Sequence, residues 1–369
     1  MKHLSMLIKP ASSLCNMRCR YCFYADISSA REIPSYGIMG VDVTEKILNN
    51  IFKDVDDGDT VTFMFQGGEP SVAGLPWFRR FTENVSARRR DITLNYAFQT
   101  NGLLLDDPWC EFFREYNFLV GLSLDCGKRF HDRNRITAPD EGTYGKVLRA
   151  KELLDKHRVE YNILSVLTNT LAKEPEKTWN FILHNHIRYI QFIPCLEPPD
   201  KGASDRENVL RPAQFAAFYS RLLPLWIREL ETGNYISVKL FDDTANYFFR
   251  GRATVCGIDG QCRNQYVIEA DGSVFPCDFY AFDRYKTGNL TNNTLRDNFN
   301  SQKTYDFVTK RPALPKLCGD CEFFNSCRGG CKRMQDVMYA GNGGVICGYQ
   351  VFLKKCLRPL EEAVRQAFP

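Results

Sequence analysis

The stretch CNMRCRYCFY at residues 15–24 places three cysteines, Cys15, Cys19 and Cys22, close together and has no fourth cysteine nearby. Thiolates bind iron–sulfur clusters, and a cluster of four irons takes four protein ligands when its site is closed. Three ligands leave one iron open, which suits a chelating substrate or cofactor, since catalytic metal sites in general keep a free position. Taken alone, the spacing also allows an incomplete zinc site or buried thiols without metal.

The composition indicates an ordinary globular protein. The 369 residues include 44% hydrophobic and 25% charged positions, enough for one large domain and a smaller one. The net charge of +4 is not concentrated in a basic stripe, so no nucleic-acid partner is expected. The longest apolar runs, such as FLVGLSL at 118–124, are far shorter than the roughly 18 residues of a membrane span. No membrane association is expected.

The fifteen cysteines favour metal binding in a reducing compartment. Their tight C-x-x-C spacings are more typical of metal ligation than of disulfides in a chain of this size. A secretory signal does not fit, because the cysteine loop directly follows the first apolar run. We therefore expect a cytoplasmic protein.

Six short apolar runs in the first half alternate with amphipathic, helix-like segments. Each run is rich in β-branched and aromatic residues and has the length of a buried strand. The runs are LSMLIKP (4–10), TVTFMFQ (60–66), LNYAFQT (94–100), FLVGLSLD (118–125), EYNILSVLT (160–168) and YIQFIPC (189–195). Helices are predicted at 42–55, 143–157, 212–231, 242–250 and 349–368. The repeat predicts an α/β fold with a parallel sheet and helices outside it.

Polar and glycine-rich segments follow the first four predicted strands. The cysteine loop follows the first strand, QGGEP (66–70) the second and QTNG (99–102) the third, while SLDC (123–126) ends the fourth. Because the carboxyl ends of parallel strands meet at one edge of a sheet, we expect these segments to lie close together. Gly67 and Gly68 let backbone groups approach a ligand, and Glu69 offers an acceptor for an ammonium group.

The pairing of CNMRCRYC with GGEP resembles the radical S-adenosylmethionine (SAM) superfamily. The resemblance implies a partial (β/α)6 TIM-like barrel in which Cys15, Cys19 and Cys22 ligate a [4Fe–4S] cluster. It also implies that the amino and carboxylate groups of SAM bind the fourth iron, and that SAM cleavage yields a 5′-deoxyadenosyl radical. The positions similar to cofactor contacts of the family are Tyr21, Gln66, Gly67, Gly68, Glu69, Ser123 and Leu196. For Ser123, Gln99 and Asn101 a structural role is equally open, and Leu196 also suits the core.

Eight further cysteines form a second field between residues 256 and 347. In CGIDGQCRNQYVIEADGSVFPCDFY (256–280), Asp271-Gly272 lies between alternating apolar residues and predicts a hairpin that returns Cys277 towards Cys262. A second group follows in CGDCEFFNSCRGGC (318–331), with Cys347 after a longer gap. Alone, these spacings serve zinc as readily as iron.

In a chain that also carries the three-cysteine loop, this second group of cysteines resembles the SPASM extension of radical SAM enzymes. The resemblance includes the spacing Cys262-x9-Gly272-x4-Cys277. The resemblance implies two auxiliary [4Fe–4S] clusters with protein ligands only. One is expected to be bound by Cys256, Cys262, Cys277 and Cys331. The other is expected to be bound by Cys318, Cys321, Cys327 and Cys347. The expected domains are a barrel with connecting helices at 1–252, a SPASM domain at 253–349 and a C-terminal helix at 350–369.

Four cysteines remain outside these ligand sets. Cys110, Cys195 and Cys356 are expected to pack as small hydrophobic side chains. Cys126 lies near the expected mouth of the barrel, where relatives commonly have glycine, and packing is the favoured interpretation for it as well.

Over its whole length the chain resembles the anaerobic sulfatase-maturating enzymes, through LIKPASSLCNMRCRYCFY (7–24), FQGGEP (65–70), FQTNG (98–102) and GSVFPCDFY (272–280). These enzymes oxidise one cysteine or serine of a sulfatase, in a C/S-x-P-x-R type motif, to Cα-formylglycine. The resemblance implies that the radical removes a hydrogen from the substrate Cβ, and that a second electron leaves through an auxiliary cluster. It also assigns Asp278 as the base that takes the thiol or hydroxyl proton.

The expected partners are an unfolded or nascent sulfatase and an electron donor such as flavodoxin or ferredoxin, and we expect a monomer. One alternative is an enzyme that tailors ribosomally made peptides by thioether formation, carbon–carbon crosslinking or epimerisation. Many such enzymes carry an N-terminal leader-binding domain, for which a first strand near Leu4 leaves no room. Another alternative, a non-enzymatic electron carrier, is opposed by the open cluster and by GGEP. The sequence leaves the choice between cysteine and serine open.

Overall fold

The computed structural model describes residues 1–88, 91–198, 207–341 and 344–368. Within it the chain divides into two compact units, each built from several segments. The first unit consists of Met1–Leu124, Asn134–Tyr161 and Asn264–Lys310. The second consists of Asp125–Arg133, Asn162–Arg263 and Arg311–Pro369. The domain boundaries at 252 and 349 stay a prediction.

The strands follow the predicted apolar runs. In chain order they are β1 (His3–Ile8), β2 (Thr60–Phe65), β3 (Thr93–Thr100), β4 (Phe118–Ser123), β5 (Tyr161–Leu167), β6 (Tyr189–Pro194), β7 (Ser237–Val238), β8 (Val267–Ile268), β9 (Ser273–Phe275) and β10 (Gly288–Asn289). All six strands predicted from composition are therefore present as β1 to β6.

The helices lie between and after these strands. In chain order they are α1 (Phe23–Ser29), α2 (Val41–Phe52), α3 (Leu75–Ala87), α4 (Asp107–Glu115), α5 (Lys128–Asn134), α6 (Tyr144–Lys156), α7 (Pro175–His184), α8 (Pro212–Glu231), α9 (Lys239–Arg250), α10 (Leu295–Phe299), α11 (Gln302–Thr309), α12 (Phe324–Cys327) and α13 (Gly348–Ala367). The helix predicted at 212–231 has these bounds, and the one predicted at 349–368 is shifted by a single residue. The helix predicted at 42–55 ends earlier, at Phe52.

The sheet of the first unit is parallel from β1 to β4, with β8 added in parallel on the other side of β1. Ile8 is opposite both Phe65 and Ile268, and Phe65 is opposite Phe98. This register aligns the carboxyl ends of β1, β2, β3 and β8. The residues that follow them therefore start from one edge of the sheet. The predicted hairpin is present, because β8 and β9 pair antiparallel on either side of Asp271-Gly272.

An aromatic core packs against one face of this sheet. The Phe65 ring lies 5.1 Å from the rings of Phe78 and Phe81, and the Phe98 ring lies 5.0 Å from the ring of Phe113. All five side chains are at most 1% exposed. Each buried phenylalanine stabilises the fold by about 1.5–3 kcal/mol through removal of apolar surface from water. The core thus fixes α3 and α4 beneath strands that carry polar residues at their ends.

The second unit has its own parallel strands and its own helical core. β6 pairs in parallel with β5 and with β7. The Phe352 ring of α13 lies 5.8 Å from Tyr219 of α8 and 6.4 Å from Phe241 of α9. Trp226, which is 2% exposed, donates its indole N–H to Ile236 O at 2.7 Å. The long helices α8 and α13 are therefore joined through aromatic packing with the indole hydrogen bond satisfied.

Membrane insertion has no candidate helix in the part of the chain that the structure describes. None of the helices there combines the length and the hydrophobicity that a bilayer crossing requires.

Candidate active site

The three-cysteine loop leaves β1 and ends in α1. Cys15 Sγ accepts the backbone N–H of Met17 at 3.4 Å and the side-chain amide of Asn101 at 3.9 Å. Cys22 caps α1, and its Sγ accepts Ala25 N–H at 3.4 Å. N–H groups aimed at sulfur orient ligating thiolates and tune the metal that they hold. Two of the three thiols therefore have the surroundings that cluster ligands need, and Asn101 reaches the loop from the end of β3.

Burial favours the protonated thiols of Cys15 and Cys22 over their thiolates. Burial raises the pKa of Cys15 to about 11, helped by the negative charges of Glu69 and Cys22 and opposed by the Met17 N–H. Burial likewise raises the pKa of Cys22, against the N–H groups of Ala25 and Tyr24. Because metal binding requires thiolates, iron would displace these protons and repay the cost of burying the sulfurs.

Gly67 and Gly68 lie against the backbone of the cysteine loop, and their predicted approach to a ligand stays a prediction. A Cβ at Gly68 would lie 2.2 Å from Leu14 O, and one at Gly67 would lie 2.9 Å from Ser12 O. Gly68 N–H donates to Ser12 O and Glu69 N–H donates to Leu14 O, both at 2.8 Å. The missing side chains thus admit the backbone of the cysteine loop itself. The two glycines fix the loop against the end of β2.

Glu69 is 1% exposed, and its carboxylate is engaged by the protein. It accepts Thr100 Oγ1–H and Asn101 N–H, each at 2.7 Å, and Ser71 Oγ–H at 2.6 Å. Burial raises the pKa of Glu69, and these donors oppose the shift. Its predicted role as the acceptor of the SAM ammonium stays a prediction. What the structure adds is that Glu69 ties the end of β2 to the end of β3.

The other predicted cofactor contacts are divided between the units. Gln99 Nε2 donates to Ser123 Oγ at 3.0 Å, which joins the ends of β3 and β4. Tyr21 is 8% exposed and has the Arg135 guanidinium over its ring at 5.4 Å. Leu196 belongs to the second unit, where it is buried. Their contacts with a cofactor stay predictions.

Asp278 lies directly after the hairpin and is 7% exposed. Its Oδ1 is 2.7 Å from Lys9 Nζ, and its Oδ2 accepts the Gln66 side-chain amide at 2.9 Å. Gln265 Oε1 accepts the Asp278 backbone N–H at 3.3 Å. The carboxylate is therefore held from two sides by residues that follow β1 and β2. Gln66, predicted to touch the cofactor, directs its amide to Asp278.

A buried charged network surrounds Lys9. Its Nζ lies 3.8 Å from Glu269 Oε1 and 3.4 Å from the centre of the Tyr24 ring. Glu269 also accepts Arg31 Nη1–H at 2.9 Å and Tyr24 Oη–H at 2.5 Å. Burial by itself would raise the pKa of Glu269, but Lys9 and Arg31 lower it overall. Two buried cations, Lys9 and Arg31, thus balance the carboxylates of Glu269 and Asp278.

Four of the predicted ligands line one cavity in the second unit. The walls of this cavity include Phe323, Phe324, Tyr339 and Tyr349. The thiols that line it are Cys318, Cys321, Cys327 and Cys347. A closed four-thiol set around an apolar cavity suits a protein-bound [4Fe–4S] cluster. Across the described residues, no group of three or more His, Cys, Asp or Glu is arranged to hold a single metal ion.

The sulfurs around this cavity receive N–H groups as those of the first loop do. Gln350 donates its backbone N–H to Cys347 Sγ and its side-chain amide to Cys321 Sγ, both at 3.4 Å. Cys347 is the N-cap of α13. Burial raises the pKa of Cys327 to about 11, with Cys321 and Cys347 adding to the effect. A thiolate at any one of these positions therefore makes ionisation of its neighbours less favourable.

The remaining predicted ligand set is split between the units. Cys256, Cys262 and Cys331 belong to the second unit, and Cys277 belongs to the first, beside Asp278. Burial raises the pKa of Cys331, and the charges of Cys256 and Cys262 raise it further. A Cβ at Gly257, whose φ is +78°, would lie 2.9 Å from Cys331 Cβ. Three of the four thiols are thus close together, and the four-ligand set stays a prediction.

The cysteines outside the ligand sets are all buried, and none of the fifteen cysteines forms a disulfide. Cys110 and Cys356 are at most 1% exposed, and Cys195 is 2% exposed. Cys126 is 3% exposed, and burial raises the pKa of its thiol. These surroundings agree with packing as small side chains.

Three charged residues near Asp278 are not predicted by the sequence patterns, namely Lys9, Arg31 and Glu269. Lys9 stands at the end of the apolar run LSMLIKP, and Glu269 lies in the hairpin segment VIEADG. The available signal was a charged residue inside a run that is otherwise buried, which requires a partner. Pattern alone does not identify that partner.

The comparisons with known proteins agree with this site. Residues 10–182 match the family described as the Radical SAM superfamily, and residues 256–322 match SPASM, an iron-sulfur cluster-binding domain. The chain is 37% identical over 364 residues to the cysteine-type anaerobic sulfatase-maturating enzyme of Clostridium novyi (strain NT). The match covers 98% of this chain and 97% of that enzyme. This chain belongs to the anaerobic sulfatase-maturating enzymes.

Other members of the family and solved structures extend the likeness. The serine-type anaerobic sulfatase-maturating enzyme of Bacteroides thetaiotaomicron is 31% identical, over 90% of this chain and 83% of that enzyme. The solved structure of native anSMEcpe with bound AdoMet has a TM-score of 0.90 at 34% identity, covering 99% of this chain and all of that one. Streptococcus suis SuiB, at 17% identity and a TM-score of 0.59 over 89% of this chain and 73% of that one, shares the fold alone.

These matches confirm the predicted fold, enzyme family and cofactors. The fold is the radical SAM partial barrel with a SPASM domain, and the protein is a radical SAM enzyme of the sulfatase-maturating family. Its cofactors are SAM, a [4Fe–4S] cluster and the auxiliary iron–sulfur clusters of the SPASM domain. The roles of individual site residues remain proposals.

Proposed function

We propose that this enzyme converts a cysteine side chain in a sulfatase segment to Cα-formylglycine and uses three [4Fe–4S] clusters. The preference for cysteine is supported by the relatives of higher identity, which are named cysteine-type at 37–38% against 28–31% for those named serine-type. The observation that carries the proposal is the buried Asp278 carboxylate. It is held in the same unit as the three-thiol loop, by Lys9 and Gln66.

Cys15, Cys19 and Cys22 are the proposed ligands of the cluster that binds SAM. Three thiols leave one iron for the amino and carboxylate groups of SAM. The residues proposed to surround SAM are Tyr21, Gln66, Gly67, Gly68, Glu69, Ser123 and Leu196. When bound, the clusters and SAM supply a radical that removes a hydrogen from the substrate Cβ, and they accept the second electron.

Asp278 is the proposed general base. A base must lie within hydrogen-bond reach of the proton that it takes, and its carboxylate must stay in place while the substrate changes. Lys9 and Gln66 hold its two oxygens, and the backbone N–H of Asp278 is fixed by Gln265. In this proposal Asp278 accepts the thiol proton of the target as its Cβ is oxidised, and Gln66 keeps Oδ2 oriented.

The auxiliary ligand sets are proposed as in the sequence analysis. Cys318, Cys321, Cys327 and Cys347 are supported by the cavity that they line. For the other set, the closeness of Cys256, Cys262 and Cys331 supports three members, and the position of Cys277 next to Asp278 supports placing the fourth near the base. Complete thiolate sets leave no iron open, which suits electron removal better than substrate binding.

The substrate is proposed to be a nascent or unfolded sulfatase segment with a C/S-x-P-x-R type motif, bound in extended form across the barrel mouth. A solved anSMEcpe structure with bound AdoMet and Kp18Cys peptide, at 34% identity and a TM-score of 0.88 with 99% of each chain covered, supports a peptide substrate. An electron donor such as flavodoxin or ferredoxin, a monomeric state and a cytoplasmic location complete the proposal.

The proposal is tested with matched peptides of about 15 to 20 residues that differ only in cysteine or serine at the target position. The reconstituted enzyme, SAM and a reductant are incubated with each peptide, and the masses of the products are measured by mass spectrometry. We expect the cysteine peptide to lose about 18 Da and to react faster than the serine peptide, which would lose about 2 Da. A crosslinked or epimerised product without formylglycine would instead support a peptide-tailoring enzyme.

A further inference from the structure

Lys9 has surroundings that its place in a strand does not explain. It follows β1 at the carboxyl edge of the sheet, its side chain is 0% exposed, and its Nζ approaches Asp278 Oδ1 to 2.7 Å. Neither atom makes a hydrogen bond of ordinary geometry in the described residues, so the contact is an ion pair. A lysine is rarely buried completely unless its charge is paired. Here the paired group is the proposed base.

The strand register explains how Lys9 comes to this position. Ile8 is opposite Ile268, and Lys9 N–H donates to Ile268 O at 2.8 Å. Lys9 therefore lies beside Glu269, the next residue of the hairpin. Pairing of β8 with β9 then returns the chain to Asp278 on the same side of β1. Strand pairing therefore sets the backbone positions from which the Lys9 and Asp278 side chains meet.

The remainder of the network holds Lys9 itself. The centre of the Tyr24 ring lies 3.4 Å from Lys9 Nζ, and Glu269 Oε1 lies 3.8 Å from the same atom. Glu269 is in turn fixed by Arg31 at 2.9 Å and by Ser12 Oγ–H at 3.0 Å. Because Arg31 already balances Glu269, the Lys9 ammonium is available to balance Asp278.

We propose that Lys9 is a positioning residue that acts through Asp278, holding Oδ1 so that the carboxylate stays aimed at the substrate. This inference rests on the proposed function, in which Asp278 takes the substrate proton. Lys9 itself touches neither substrate nor cofactor in this account. Gln66 orients Oδ2, and Lys9 supplies the counter-charge and the anchor for Oδ1.

The chain provides a matched control for the loss of a buried lysine. Lys151 on α6 is 8% exposed, pairs with Asp155 at 2.8 Å and has the Tyr161 ring at 5.9 Å. It combines a carboxylate and a tyrosine ring as Lys9 does, but at a place that has no part in the proposed chemistry. Lys151→Met therefore shows how much the loss of a buried, paired lysine lowers stability when the proposed chemistry is not involved.

The first test compares wild type with Lys9→Met, Lys9→Arg and Lys151→Met in reconstituted enzyme. The readout is the number of 5′-deoxyadenosine molecules formed per formylglycine. We expect Lys9→Met to raise this ratio about fivefold or more, with Lys9→Arg and Lys151→Met within about twofold of wild type. Adding Lys9→Met to Asp278→Asn should not raise the ratio further. A wild-type ratio in Lys9→Met, or a further rise in the double variant, would overturn the proposal.

The second test needs no turnover. Melting temperatures are measured for wild type, Lys9→Met, Asp278→Asn and the double variant. If the two side chains act as a pair, the double variant should lose less than the sum of the two single losses, because each single variant leaves one buried group unpaired. Additive losses would overturn the ion pair. If wild type makes no formylglycine, the proposed function fails, while this cycle still decides whether Lys9 holds Asp278.

Discussion

The three-thiol loop of the first unit and the four-thiol cavity of the second are proposed to bind clusters through the same kind of ligand in different surroundings. Around the cavity, four sulfurs share walls of phenylalanine and tyrosine. Beside the loop, the neighbours are polar: Asn101 contacts Cys15, and Glu69 ties the loop to two strand ends. A complete ligand set in an apolar cavity isolates its metal. An incomplete set among polar groups leaves room for a cofactor. Ligand number and surroundings together therefore distinguish the two sites.

The largest expected effect on activity follows from removing the three cysteines of the loop. Replacing Cys15, Cys19 and Cys22 with alanine should lower the iron content from about twelve to about eight atoms per chain and abolish SAM cleavage. Iron analysis and chromatography of 5′-deoxyadenosine check this. Cys110→Ala, which removes a buried cysteine of the same unit, should keep about twelve irons. Residual SAM cleavage in the triple variant would place the open cluster elsewhere.

Disrupting the four-thiol site of the second unit should stop product formation while SAM cleavage continues. The double variant Cys327→Ala, Cys347→Ala should lose about four irons and make little formylglycine, yet still cleave SAM, since the loop is intact. Cys356→Ala, in the middle of α13, is the control and should behave as wild type. Stoichiometric zinc in an anaerobically purified sample would contradict the iron assignment of this cavity.

Asp278→Asn should act on the proton transfer alone. The amide keeps the shape of the side chain but lacks a basic oxygen, so formylglycine formation should fall about 100-fold or more. The variant should retain its irons and still cleave SAM. Asp283→Asn, five residues farther on, keeps the local fold and should change the rate little. A wild-type rate of product formation by Asp278→Asn would show that another group is the base.

A smaller effect is expected at the contact that fixes the open loop. In Gly68→Ala the new Cβ would clash with Leu14 O at 2.2 Å, so the cysteine loop must shift, at a cost of about 1–3 kcal/mol. We expect a lower melting temperature and about tenfold slower SAM cleavage. Gly145→Ala is the control, because its Cβ would meet only Arg149 Nη1, at 3.9 Å. Equal behaviour of the two variants would mean that the glycine does not position the loop.

The features predicted correctly from sequence are those that depend on short stretches of chain. The helix Pro212–Glu231 begins with a proline at its first position, and its apolar stripe continues to Leu230, so both bounds were readable. The strands β1 to β6 were marked by apolar runs of the right length. The three-thiol loop was readable for the same reason, since its cysteines all lie within residues 15–22.

The features that were missed depend on pairing between distant segments. Lys9 and Glu269 are 260 positions apart in sequence, and they meet only because β8 adds to β1 in a particular register. The glycines of GGEP showed that something approaches closely, but not that it is the backbone of Ser12 and Leu14. The direction of the Gln66 side chain, towards Asp278, likewise follows from the alignment of the strand ends.

The difference between the open and the closed sites is tested most directly by the electron paramagnetic resonance spectrum of the reduced variant in which Cys15, Cys19 and Cys22 are alanine. Spectra are recorded with and without SAM, and the reduced wild-type enzyme serves as the reference. Our account predicts that SAM changes the wild-type spectrum and leaves that of the variant unchanged. In the variant, every iron of the two remaining clusters is bound by a thiolate, so no iron has a free position for SAM. A change on adding SAM to the variant would contradict it.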